Sequence, residues 1–229
     1  MGAGHFQEFE DEYLEMMYQF HEKNPESMVR NGDLAEALRV TPASATEMVQ
    51  RLAVKGYLEY VPYKGSTLTE KGLKHGKKMK RRHRLAEVLL EHLPFDGNQH
   101  STACRLEHAI DDDLEVALTI YLDNPQIDPS GTIIPDIADE LRHRLFDKSA
   151  SLINLNNLEI KQMGEIKVIS MSKSDKSLIS NLGINVGDKI QKVNSQRYEC
   201  NDLEFDLSPS LSSLILIKVH ESSKLISTL

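Results

Sequence analysis

Between residues 8 and 22 the apolar side chains Phe9, Tyr13, Met16, Met17 and Phe20 recur at helical spacing, which predicts an amphipathic helix. Asn24-Pro25 ends it, because a proline disfavours helical geometry in the residue before it. Two short helical patterns follow. Asp33 is placed to cap Leu34-Ala-Glu-Ala-Leu38, with Glu36 at the third helical position as in a capping box. Thr41 then serves as N-cap with Pro42 at the first helical position, Ala45, Met48, Val49 and Leu52 form the apolar face, and Gly56 stops the helix. Two short helices joined by a tight turn predict a helix-turn-helix. Residues 57–69 change to a strand-like period around Lys64-Gly65, which predicts a hairpin in the position of a wing.

Residues 70–93 return to a long helix, basic from Lys71 to Arg84 and apolar over Leu85, Val88, Leu89 and Leu90, closed by Pro94. Two more helices are expected over 98–109 and 113–123, separated by the Asp111-Asp112-Asp113 cap region, before a loop through Pro129-Ser-Gly131 to Ile134-Pro135. Near residue 148 the composition shifts, and 148–160 reads as a linker. Beyond it Ile166–Ile169, Lys189–Val193 and Leu214–Val219 are strand-like, with a turn-rich Leu182–Asp188 between the first two, which predicts a small β-barrel.

Composition narrows the class without naming it. No apolar run approaches the roughly 20 residues of a membrane span, and Met-Gly-Ala-Gly-His at the start carries no apolar core of a secretory leader. Cys104 and Cys200 cannot build a disulfide framework, so a reducing, cytoplasmic setting is expected. The net charge of -8 hides a strong segregation. Residues 51–84 hold 11 basic against 2 acidic side chains, while 1–50 hold 3 against 10 and 85–150 hold 4 against 14. Such a block is either a nucleic-acid-facing field or a solvated helix face.

The helix-turn-helix favours the first reading. Thr41, Pro42, Ala43, Ser44, Thr46, Glu47 and Gln50 give the second helix a small, polar N-terminal surface able to approach base edges in a major groove. Arg51, Lys55, Lys64 and Lys71 are placed to neutralise phosphates around it, whereas Glu47 is unfavourable near phosphate but can accept from a cytosine amino group.

A second chemistry is written in His100-Ser-Thr-Ala-Cys104-Arg-Leu-Glu107-His108, whose named residues share one helix face. Two imidazoles, a thiol and a carboxylate suit a first-row transition metal better than Ca²⁺ or Mg²⁺. His83 and Glu87, four apart on the long helix, and Glu12 and Glu15 on the first helix are further candidate ligands. No phosphate-binding, dinucleotide, zinc-hydrolase or serine-hydrolase signature is present, and Glu140-Leu-Arg-His143 is the lone Glu-x-x-His of a di-iron pattern, so an enzyme is not expected.

In order along the chain, Glu12-Tyr-Leu-Glu15, Leu34-Ala-Glu-Ala-Leu38, Met48-Val-Gln-Arg-Leu52, Leu68-Thr-Glu-Lys-Gly72, Arg82-His-Arg-Leu-Ala-Glu87, the His100–His108 cluster and the Pro129–Pro135 loop closely resemble the diphtheria toxin repressor family of iron- and manganese-dependent transcription regulators. The tail resembles that family's SH3-like (FeoA-like) domain, mainly through Leu182–Asp188. The resemblance implies a winged helix-turn-helix DNA-binding domain over 1–72, a helical dimerisation and metal-binding domain over 73–147, the linker over 148–160 and an SH3-like barrel over 161–229. It implies a homodimeric repressor of metal-uptake genes, switched on by divalent metal at two sites per subunit. The primary site would use Glu12, Cys104, Glu107 and His108, with Glu15 as an addition. The ancillary site would use His83, Glu87 and His100, with Asp175 from the SH3-like domain, where a second family ligand position falls on Ser172. Cys104 beside Glu12 mixes the family's iron and manganese patterns: the thiol favours Fe²⁺, the two glutamates Mn²⁺. Fe²⁺ is the expected ion and Mn²⁺ the alternative. A non-DNA-binding metal protein or enzyme, or a metal-blind regulator responding to oxidation at Cys104, are the rivals from other classes.

Overall fold

The computed structural model describes residues 3–170, 179 and 181–219. The chain divides into two compact units, Met1–Arg142 and His143–Leu229. In the first, α1 (Ala3–Lys23) buries Tyr13, Leu14 and Met17, with Met16 and Phe20 partly covered. Phe9, expected on the same stripe, is largely exposed. Helix α2 (Asn31–Leu38) begins two residues before the expected cap: Arg30 is its N-cap without a side-chain hydrogen bond. The Asn31 amide instead donates to Thr46 Oγ1 at 3.0 Å, so a tertiary contact replaces the predicted capping box. Helix α3 (Pro42–Val54) starts as its sequence predicts, with Thr41 Oγ1 accepting from the Ser44 N–H. Its inner face, Ala45, Val49 and Leu52, packs with Leu34 of α2 and Tyr13, Leu14 and Met17 of α1.

The wing is a two-stranded hairpin, β1 (Leu58–Val61) antiparallel to β2 (Gly65–Leu68) with Leu58 opposite Leu68. Gly65 sits at φ +129, and a Cβ there would run into the Val29 carbonyl, which is how the wing bridges back to the segment before α2. Thr69 then caps α4 (Glu70–His92), accepting from Gly72 N. Helix α4 lies along α1, and at Gly76 the backbones come so close that any Cβ would meet the Leu14 carbonyl. Leu85, Ala86, Val88 and Leu90 of α4 form a second core with Ala103 of α5 (Gln99–Leu106), Ile110, Ile134, and Leu118 and Leu122 from α6 (Asp112–Tyr121) and just past it. The expected helix over 98–109 thus stops as an α-helix at Leu106 and tightens into a 3-10 turn at Glu107–Ala109. Helix α7 (Asp139–Ala150), which the hydrophobic pattern does not predict, buries only Leu141.

The second unit is built on one antiparallel sheet in the order β3-β8-β4-β5-β6-β7: β3 (Leu152–Asn154), β4 (Met163–Ile169), β5 (Lys189–Lys192), β6 (Arg197–Cys200), β7 (Leu203–Asp206) and β8 (Ile215–Val219). Ile166, Ile190, Tyr198, Cys200, Ile215 and Ile217 fill its core, and a short helix α8 (Pro209–Ser212) leads into β8. Two expectations change here. Segment 148–160, read as a linker, supplies β3 and the fully buried Leu155 and Leu158, because those apolar residues complete this core. The expected barrel is an open sheet among the described residues, since no pairing joins β3 to β7.

Candidate metal centre and DNA-binding surface

Helices α1 and α4 and the α5 segment bring most of the predicted ligands to one place. His83 is buried and central: its Nδ1 lies 2.7 Å from Glu107 Oε2 and 3.8 Å from Glu15 Oε1, and its Nε2 lies 3.2 Å from Glu87 Oε1. Glu87 Oε1 also faces His100 Nδ1 at 3.1 Å, and Cys104 Sγ lies 3.9 Å from His100 Nε2. The donor atoms of Glu15, His83 and Glu107 all lie within 4.8 Å of one another, as do those of His83, His100 and Cys104. These are an inner and an outer group that share His83.

This grouping departs from the single helix face read for residues 100–108. The 3-10 turn at Glu107 carries that carboxylate into the interior, fully buried, while His100 remains 72% exposed on α5. His108 faces the carboxylates of Glu107 and Asp11, each at 3.5 Å. Glu12 is half-buried and feels the charge of His108. Glu12 and His108 thus lie on the inner side, and Cys104 stands with the outer group. Asp175 and Ser172 lie outside the described residues.

The electrostatics are those of a site built around positive charge. Burial by itself would lower the His83 pKa, but hydrogen bonds with Cys104, Glu107 and Glu87 and the charge of Glu15 outweigh it and push it up to about 12. Glu87, hydrogen-bonded by His83 and His100, is held down at about 2. Burial raises Glu107, and Glu12 too, against the pull of the neighbouring histidines. The Asp11 carboxylate beside it, and after it the charge of Glu107, raises His108 against its burial. Lys80 donates to Glu15 at 3.0 Å and offsets part of the carboxylate charge.

The residues present fit a divalent transition metal. Glu107 Oε1 is buried with no hydrogen-bond partner, and the neighbouring donors are two imidazoles within reach of carboxylates and a thiol. Buried carboxylates without full partners are costly, and a cation at this place would satisfy them.

The basic block has a different fate from the one its charge suggests. Lys78 and Arg82 pair with Asp112, Arg81 and Arg82 with Glu115, and Arg84 with Glu22 and Asp128. Lys80 pairs with Glu15, and Arg51 and Lys55 with Glu10. The acidic segments on either side fold around the block, so much of its field is spent inside the first unit. On the recognition surface Thr41, Pro42, Ala43, Ser44, Glu47 and Gln50 are exposed as expected. Thr46 is partly exposed, its hydroxyl donating to the Pro42 carbonyl at 2.8 Å. Lys64 is exposed at the wing turn, whereas Lys71 donates to the Lys55 carbonyl and covers the Tyr57 ring. Sequence reasoning singles out neither Glu10 nor Asp11, although the latter contacts His75 of α4 at 2.7 Å as well as His108.

Residues 5–66 match the family model described as iron dependent repressor, N-terminal DNA binding domain. Residues 69–136 match that of the iron dependent repressor metal binding and dimerisation domain. An uncharacterized HTH-type transcriptional regulator of Methanocaldococcus jannaschii is 38% identical over 115 residues, 49% of this chain and 91% of that protein. The HTH-type transcriptional regulator MntR of Bacillus subtilis is 42% identical over 86 residues, which cover 38% of this chain and 59% of the regulator. The diphtheria toxin repressor of Corynebacterium efficiens is 27% identical over 191 residues, 80% of this chain and 82% of the repressor. A solved structure of the manganese regulator SloR matches over 92% of this chain and 98% of its own, at 21% identity and a TM-score of 0.49. With both domain models matched in order, the chain belongs to the iron-dependent repressor family of transcription regulators.

Proposed function

We propose that this chain is a cytoplasmic, homodimeric repressor of metal-uptake genes that binds its operator when Fe²⁺ occupies the α1–α4–α5 centre. The carrying observation is the buried inner group, in which Glu15 of α1, His83 of α4 and Glu107 of the 3-10 turn converge from three elements. Glu12, Glu107 and His108 belong to this inner site with Glu15, and His100, Glu87 and Cys104 to the outer one. His83 stands between them, giving two sites per subunit. A bound divalent cation supplies positive charge and fixed ligand directions. What the chain's own residues do follows from electrostatics. Without a cation, Glu12 and Glu15 on α1 oppose Glu107, and Lys80 and His83 offset that repulsion only in part. Ligation of these carboxylates holds α1 against α4, and α3 packs on α1. The recognition helices of the two subunits are then set at the spacing of successive major grooves, and DNA affinity follows the differential metal affinity of the two arrangements.

Cys104 with two imidazoles favours Fe²⁺ over the harder Mn²⁺, and the carboxylates of the inner group support the manganese alternative. Cys104→Ala and His108→Ala test the reading: each is expected to fold as a dimer and to lose metal-dependent operator binding. Wild-type-like operator binding by both variants would overturn it.

A further inference from the structure

Glu10 lies two residues before Glu12 on α1, with its side chain only 3% exposed. Arg51 Nε approaches Oε1 at 2.8 Å, and Lys55 Nζ donates to both carboxylate oxygens at 2.7 Å. Both cations stand in the last turn and C-cap of α3, the helix that offers its N-terminal surface to DNA. Their side chains are 41% and 42% exposed, so a buried anion is gripped by two cations at the surface. Neighbouring positions of α1 therefore reach different elements. Glu10 reaches α3, Asp11 reaches His75 of α4 and His108, and Glu15 reaches His83.

The apolar contact between α1 and α3 excludes water but has little directional preference, and it is much less extensive than the contact of α1 with α4. Charge-assisted hydrogen bonds to one carboxylate are directional and fix how α3 is rotated on α1. They also engage the Arg51 and Lys55 charges within the first unit.

We propose that Glu10 is a positioning residue that couples α1 to the recognition helix and withholds Arg51 and Lys55 from non-specific DNA contact. The coupling half rests on the metal-activated reading above; the withholding half rests on the ion pairs alone.

The test uses the full chain with Glu10→Gln. Iron affinity is measured by competition with a chelating dye. Affinities for a promoter duplex and a scrambled duplex are measured by anisotropy in chelator and in buffered Fe²⁺, across a salt series. Iron affinity should stay near that of the wild type. The ratio of metal-activated to chelator affinity should fall by about tenfold, or about 1.4 kcal/mol. On the scrambled duplex, the slope of log K against log salt should steepen by up to about 1.8, because each of two released cations can neutralise one phosphate at roughly 0.9 per contact. A merely structural role would weaken binding without steepening that slope. A wild-type ratio and a wild-type slope together would overturn the proposal. A wild type that binds equally in chelator and iron would refute the proposed function, and the coupling falls with it; that failure shows in the parent rather than the variant. Lys55→Gln, at a half-exposed position, serves if Glu10→Gln does not fold. It should lower the activation ratio by about threefold, roughly half of the tenfold loss on the energy scale, and a wild-type ratio there would overturn the coupling.

Discussion

Replacing Glu115 by glutamine removes one charge from a buried ion-pair network of the first unit while keeping the side chain's shape. Glu115 is 0% exposed on α6. Arg82 Nε donates to its Oε2 at 2.9 Å, and Arg81 Nε stands 3.2 Å from its Oε1, at ion-pair distance but too oblique for a hydrogen bond. Arg81 is 3% exposed, and its burial lowers the guanidinium pKa, which Glu115 and then Asp136 resist. In the variant Arg81 keeps its hydrogen bonds to the Pro135 carbonyl at 2.6 Å and Thr119 Oγ1 at 2.9 Å, and Arg82 keeps Asp112 at 2.6 Å. Breaking a buried pair by removing one partner costs about 3–5 kcal/mol, and the retained hydrogen bonds place this case near about 3. Urea unfolding followed by helical circular dichroism measures it. With a slope of about 2 kcal/mol/M the midpoint should fall by about 1.5 M without a change in slope. Arg81→Met with Glu115→Leu should recover part of the loss, since it replaces both halves of the Arg81–Glu115 pair by apolar groups and leaves Arg82 on Asp112. A Glu115→Gln midpoint within about 0.25 M of the wild type, about 0.5 kcal/mol on the same slope, would refute the reasoning.

Three further outcomes follow from the same geometry. His83 belongs to both donor groups and His100 to the outer one, so His83→Ala should abolish metal-stimulated DNA binding and remove both bound equivalents in anaerobic metal analysis. His100→Ala should remove only one, and equal losses in the two variants would contradict the shared-histidine arrangement. Gly76→Val forces a side chain against the Leu14 carbonyl and Tyr18, so it should destabilise the first unit by about 3 kcal/mol, the upper end of overpacking costs; a melting temperature unchanged from wild type would contradict the close approach of α1 and α4. Metal must displace a proton from His83, whose pKa is raised to about 12, and below the raised pKa values of His108 and Glu107 further protons as well. Apparent metal affinity should therefore rise with pH, by at least about one decade per unit near neutrality and more steeply at acid pH, when measured by chelator competition; a flat profile between about pH 6 and 8 would contradict it.

The parts of this structure that are legible in the sequence are those fixed by neighbours along the chain. Thr41-Pro42 announces α3, Lys64-Gly65 announces the wing, and the long run from Glu70 announces α4. Helix α2 starts early because Asn31 answers to Thr46 of another helix, a contact that no local capping rule contains. Helix α7 goes unseen because it buries only Leu141, which gives no periodic stripe. β3 goes unseen because three residues pair with a strand more than sixty positions later. The same distinction holds at the site. His83, Glu87, His100, Cys104, Glu107 and His108 are legible as candidate ligands by type and spacing. Their division into groups is not, because it turns on one change of helical pitch at Glu107. The basic block is plain in composition, yet its partners are remote: Lys80 meets Glu15 across 65 positions and Lys55 meets Glu10 across 45.

The most direct test of the central claim is anaerobic fluorescence-anisotropy binding to duplex DNA from the protein's own promoter region, with a scrambled duplex as control. Chelator, buffered Fe²⁺ and buffered Mn²⁺ are compared at fixed salt, because phosphate contacts make any affinity salt-dependent. Tight, sequence-specific binding is expected with Fe²⁺, weaker activation with Mn²⁺ and only non-specific binding in chelator. Equal specific binding in chelator and metal would contradict it, and would leave the His83 centre as a structural element rather than a switch.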